Sequence, residues 1–181
     1  LSAGGRPIYG RPLPVADALA AIERFWRPYH QALARLVRTA QASFGVALLL
    51  DCHSMPSAGG VGDGAGGETL ADIVLGDVYG QSCDPLLVEC AESYLEARGY
   101  GVVRNAPYAG GHTTALYGRV TSGCHALQIE INRALYMDEA SLRRRAGFAA
   151  LKSDLGVLMD KLHRLAVAQS REFHYQRMSA E

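Results

Sequence analysis

Residues 46–57, VALLLDCHSMPS, constrain the fold more than any other stretch of this 181-residue chain. Five apolar residues, Val46 to Leu50, lie between Gly45 and a proline-broken turn at Pro56. An apolar run of that length, bounded by turn residues, predicts a fully buried strand. Asp51, Cys52, His53 and Ser54 follow directly, and ligands of open α/β sheets bind just outside the carboxyl ends of such strands. His53 in that position suits a metal ligand or a general base. A turn histidine bonded to nearby backbone satisfies the same spacing.

After an irregular Gly/Pro/Arg-rich lead-in to Pro14, a long helical pattern precedes this strand. Val15, Leu19, Ile22, Trp26, Tyr29, Leu33, Leu36, Ala40 and Phe44 recur at steps of three and four. Pro28 falls inside the run and predicts a kink or a division into two helices. His30 just beyond it is expected to pack or cap, and Gly45 to end the helix. The glycine-rich run 59–67 lacks the Gly-Lys-Ser/Thr of a phosphate-binding loop; it fits a mobile loop near the site as well as plain disorder.

Three more strands are predicted, over 72–77, 101–105 and 126–131. A helix begins near Cys83 or Asp84 with Pro85 in its first turn, carries Leu87, Cys90, Tyr94 and Ala97 on one face, and stops before Gly99. A second amphipathic helix spans 148–165. Phe148, Leu151, Leu155, Leu158, Leu162 and Leu165 face inward; Lys152, Asp154, Lys161 and Arg164 face outward, with His163 solvated. Residues 171–181 are expected to fray.

This alternation predicts an α/β protein, a three-layer αβα domain around a mainly parallel sheet. Strands of a parallel sheet share one carboxyl edge. Asp51, His53, Ser54, Asp77, Asn105 and Glu130 are therefore expected to converge there. Glu130 interrupts an apolar strand, where a carboxylate is costly unless paired or metal-associated. It is either a working carboxylate or the salt-bridge partner of Arg133.

One histidine and one glutamate, with Asn, Asp, Arg and Tyr nearby, suit metal-assisted hydrolysis. In that chemistry a metal takes three protein ligands and a water, while a separate carboxylate moves the proton. His53 is then a ligand, Glu130 the base and Asp51 a supporting partner or structural anchor. His112 and His125 are further ligands by residue type alone; His112 lies in a glycine loop and His125 at the wrong end of the Glu130 strand. Ser54 lacks the G-x-S-x-G elbow of a serine nucleophile. Cys52 and Cys124 adjoin apolar strands without a nucleophile signature.

Eighteen basic residues balance eighteen acidic ones, so neither nucleic acid nor an anionic membrane surface is an expected partner. No apolar run approaches membrane-span length. The four cysteines form no CxxC pair. Reduced thiols in a cytoplasmic protein are expected, Cys83 and Cys90 being core thiols.

Four motifs in order, DCHSMPS, DIVLGD, RNAPYAGGHTT and LQIEINRALYMDE, resemble the N-formylglutamate amidohydrolase family. The resemblance runs from GRPIYGR through WRPYH to the final helix. It implies a fold similar to the zinc carboxypeptidases, a zinc cofactor, and hydrolysis of N-formyl-L-glutamate to formate and L-glutamate in histidine breakdown. The implied partner is thus a small acidic N-acyl amino acid; other N-acyl amino acids, or a degenerate domain that only keeps the fold, are the alternatives. By this resemblance His53 matches a metal ligand, Glu130 the catalytic glutamate, and Asn105, Arg133 and Tyr136 positions lining the substrate site. The early His-Ser-Gly segment of the family has no counterpart after Leu1. Residues 1–181 are accordingly expected to form a single amidohydrolase-like domain, the C-terminal part of a longer one.

Overall fold

The computed structural model describes residues 7–57 and 71–178; the glycine-rich run 59–67 lies outside them. Helix α1 (Val15–Ala21) continues through one π turn, Ile22–Trp26, into α2 (Arg27–Phe44). Pro28 lies in the first turn of α2. A proline has no N–H, and its ring clashes with the carbonyl four residues back, here that of Arg24. The wider π turn contains Arg24 and carries the helix past the proline without a break. Gly45 ends α2 in the left-handed conformation, at φ 73°.

The four strands among the described residues are β1 (Ala47–Met55), β2 (Ile73–Gly76), β3 (Val102–Arg104) and β4 (Cys124–Asn132), in the order β1-β4-β2-β3. β1 runs five residues beyond the predicted Val46–Leu50 because every residue of it pairs with β4, from Ala47↔Cys124 to Met55↔Asn132. Asp51 to Ser54 are therefore strand residues and not a turn. The sheet is mixed, which corrects the expectation of a mainly parallel one. β1 is parallel to β4 and β2 to β3, but β2 is antiparallel to β4. Apolar runs and turn signals mark where strands lie and carry no direction. The carboxyl ends of β1 and β4 therefore share one edge, while β2 and β3 run the opposite way.

The two faces of β4 differ in kind, since side chains alternate along a strand. Leu127, Ile129 and Ile131 join Ile73 and Leu75 in the main core. That core includes Leu87, Val88, Ala91 and Leu95 of α3 (Pro85–Ala97) and Leu151, Leu158 and Leu162 of α5 (Gly147–Met178). Each fully buried leucine contributes about 1.5–3 kcal/mol. Asp84 caps α3 by accepting from Leu86 N at 2.9 Å. The buried face of α3 is rotated from the predicted one, with Cys90 and Tyr94 at its margin. α5 continues to Met178, so residues 171–178 are helical and not frayed. Asp154, predicted to face outward, is buried instead; Arg98 Nε and Tyr100 OH both donate to it at 2.8 Å.

α4 (His112–Tyr117) forms where a loop was predicted and packs on β4 and β1, and α2 also reaches β1. His30 is the buried residue of α2 and does pack. Tyr117 OH donates to the His30 carbonyl at 3.0 Å and lies 2.9 Å from its Nδ1. The rest of this helical unit is open. α1 buries nothing, and among the described residues eleven of the seventeen exposed large hydrophobic ones fall between Ile8 and Phe44. Among the described residues no helix is long and apolar enough to cross a membrane.

Candidate active site

The strand pairing places His53 directly beside Glu130, and Glu130 beside Val74 of β2. Glu130 is buried, whereas half of the His53 side chain is exposed. His53 Nδ1 lies 4.0 Å from Glu130 Oε1, and its Nε2 lies 3.1 Å from Asp51 Oδ1. Asp51 and His53 are two apart in a strand and so share a face. Val74 on the other side packs with Met55 of β1 and with Tyr108 in a small second core. Burial raises the pKa of Glu130; the charge of His53 and then a hydrogen bond from Gln128 pull it back, Asp51 adds to the rise and Arg133 opposes it. A carboxylate whose pKa is raised by burial is a candidate for proton transfer.

Gln128 escaped the sequence reading. It is buried two residues before Glu130 on the same face. Its Nε2 donates to Glu130 Oε1 at 2.9 Å, and its Oε1 accepts from Gly111 N at 2.6 Å. The period of two along β4 was the available signal. Gly111 reaches this point because its loop lies against Gly76, the pairing partner of Gln128. A Cβ on Gly76 would stand 2.7 Å from Gly110 N.

The other expected site residues are placed as follows. Arg133 does not pair with Glu130. Its Nη2 donates to the Ser54 carbonyl at 3.3 Å, and its Nη1 lies 3.6 Å from Glu139. Glu139 also accepts from the hydroxyl and backbone N–H of Ser57, which lowers its pKa. This second carboxylate was missed because Ser57, which supplies both of these hydrogen bonds, is 82 residues away in sequence. Asn105, at φ 60°, holds the turn after β2: Oδ1 accepts from Asp77 N at 3.1 Å, and Nδ2 donates to Asp77 Oδ1 at 2.7 Å. Tyr136 packs against the core and meets Phe148 edge-on, ring centroids 6.4 Å apart.

His112 packs against Trp26 at a tilt and meets His30 edge-on, ring centroids 5.9 Å and 5.5 Å apart. His125 is buried at the start of β4, on the face opposite Glu130. All four thiols are free. Burial pushes Cys83 up to about 12 and also raises Cys52, which disfavours either as a thiolate nucleophile. Among the described residues no group of three His, Cys, Asp or Glu side chains is placed to hold a metal ion. These residues by themselves do not fit a zinc ion.

The mixed sheet presents a buried carboxylate beside a half-exposed imidazole, two groups with which general acid–base chemistry can be done. Residues 1–137 match the family described as N-formylglutamate amidohydrolase, and the chain belongs to that family. It is 36% identical over 164 residues to an N-formylglutamate deformylase of Pseudomonas aeruginosa, covering 87% of this chain and 60% of the relative. With an N-formylglutamate deformylase of Pseudomonas putida it shares 41% identity over 120 residues, 65% of this chain and 43% of the relative. The crystal structure of N-formylglutamate amidohydrolase from Ralstonia eutropha JMP134 superposes with a TM-score of 0.77 at 41% identity, over 92% of this chain and 58% of that one. The chain thus spans 43–60% of the length of these relatives.

Proposed function

We propose that the protein hydrolyses N-formyl-L-glutamate, with water, to formate and L-glutamate. The observation that carries this reading is the register pairing of buried Glu130 with His53, in a chain 36–41% identical to N-formylglutamate deformylases. Glu130 takes a proton from the attacking water and returns it to the leaving amine. Its raised pKa favours the second transfer. The guanidinium of Arg133, held by Ser54 and Glu139, recognises a substrate carboxylate. Asn105 shapes its edge of the site through the Asp77–Tyr79 turn, and Tyr136 supplies a further substrate contact.

A zinc ion belongs to this reading with His53 as one donor, in a site to which the described residues alone do not bring three. The complete domain is proposed to have the three-layer, zinc-carboxypeptidase-like arrangement, with residues 1–181 as its C-terminal part. The uncovered apolar side of α1 and α2 and the edge position of β1 support it. A cytoplasmic location goes with the same reading.

The test is turnover by Glu130→Gln. Loss of general-base catalysis lowers kcat by roughly 10²–10⁴-fold, and wild-type turnover by this variant refutes the base. Side-by-side assays of formyl-, acetyl- and longer acyl-glutamates fix the acyl group. A second reading, a domain that keeps the fold without activity, is favoured by the lack of three metal donors among the described residues. Formate release that depends on Glu130 overturns it.

A further inference from the structure

We infer that Gln128 is the positioning residue for the Glu130 carboxylate, an inference that rests on the amidohydrolase reading. Glu130 stands between an exposed imidazole on one side and Val74 on the other. Neither His53 at 4.0 Å nor an apolar side chain holds a carboxylate in one orientation. Gln128 does. Its side chain is buried, and its Nε2 lies at full hydrogen-bond distance from Glu130 Oε1.

The orientation of this amide is settled by chemistry. A backbone N–H can only donate, so the group facing Gly111 N at 2.6 Å must be the amide oxygen. Thr114 Oγ1 lies 3.5 Å from the same oxygen. The NH₂ group is then turned to Glu130, where it meets an acceptor. Gly111 is in turn fixed by the contact of its loop with Gly76. A short chain of contacts therefore runs from the sheet to the loop, to the amide and on to the carboxylate. A donor from a rigid neighbour keeps a base aimed at its water, and a misplacement of about 1 Å at such a group costs on the order of 10²-fold in rate.

Gln128→Glu, read together with its double variant, tests the effect. It keeps an oxygen towards Gly111 and replaces the donor facing Glu130 with a second carboxylate oxygen. The expected result is a kcat for N-formyl-L-glutamate at least about tenfold lower, with KM within about twofold. The buried like-charge pair also lowers Tm by several degrees. In the double variant Gln128→Glu/Glu130→Gln the donor and acceptor are exchanged, so Tm returns towards wild type while turnover stays lost.

Wild-type kcat in Gln128→Glu, alongside loss in Glu130→Gln, overturns the positioning role and leaves the base in place. Full turnover by Glu130→Gln alone removes the base itself. The Tm comparison needs no activity: if the double variant recovers no stability, the two side chains are not partners and the inference fails.

Discussion

His53 and Glu130 face each other as pairing partners of parallel strands, Nδ1 to Oε1 4.0 Å apart, and one is exposed while the other is buried. That asymmetry has a consequence for stability. Burial raises the Glu130 pKa in the folded state more than His53 lowers it, so the folded protein keeps this proton where the unfolded chain has released it. The stabilisation is complete below the unfolded carboxyl value and is lost as pH rises through the folded one. Glu130→Gln cannot ionise. Its stability relative to wild type is expected to improve as pH rises from about 4 to about 7, read from urea denaturation at both values. An unchanged difference contradicts it.

Asp154 ties α5 to the segment that precedes β3 through Arg98 and Tyr100. Asp154→Ala leaves a hydroxyl and a guanidinium without that acceptor and is expected to cost about 1–3 kcal/mol. Burial first, then the hydrogen bond to Asp154 and its charge, push Tyr100 up to about 12. The same variant should ionise this phenol at lower pH. Tyrosinate absorbance measures it, with Tyr100→Phe identifying the step.

Gly76→Ala places a methyl group against the backbone of Gly110 at 2.7 Å and of Ala109 at 2.8 Å. Neither is a flexible side-chain end that can move aside. A loss of about 1–3 kcal/mol is expected from the overpacking. Turnover should fall as well, because the displaced loop carries the Gly111 N–H that orients Gln128. Stability loss with full activity would detach the loop from the site.

Leu19, Phe25 and Leu36 are more than half exposed. Replacing all three with glutamine removes no buried contact, so each change should alter stability by no more than about 0.5 kcal/mol. Binding of an environment-sensitive hydrophobic dye should drop. A large loss of stability would show that this side is covered in solution.

Much of the fold was legible in the residues. The helices around Pro28, Pro85 and the Leu151–Leu162 stripe follow from side-chain period and from proline and glycine chemistry, all of which act within a few residues. The same local patterns located the four strands and singled out His53 and Glu130, a polar pair in apolar surroundings. Less legible were features with partners far along the chain. Asp154 reads as solvent-facing until Arg98 and Tyr100 fold beside it, and Gln128 reads as an ordinary strand residue until Gly111 arrives.

The sequence by itself determined where the long helices and the strands lie, though not the short α4 or the full reach of β1 and α5, and which two side chains had to be explained, because propensity, period and the cost of burying charge are local. Only the tertiary structure decided strand direction, and with it which strand ends share an edge. β2 turned antiparallel to β4, so Asp77 and Asn105 left the edge shared by β1 and β4 and became a turn latch. The reason is physical: direction and register are set by pairing between strands more than 50 residues apart. No local preference encodes that choice.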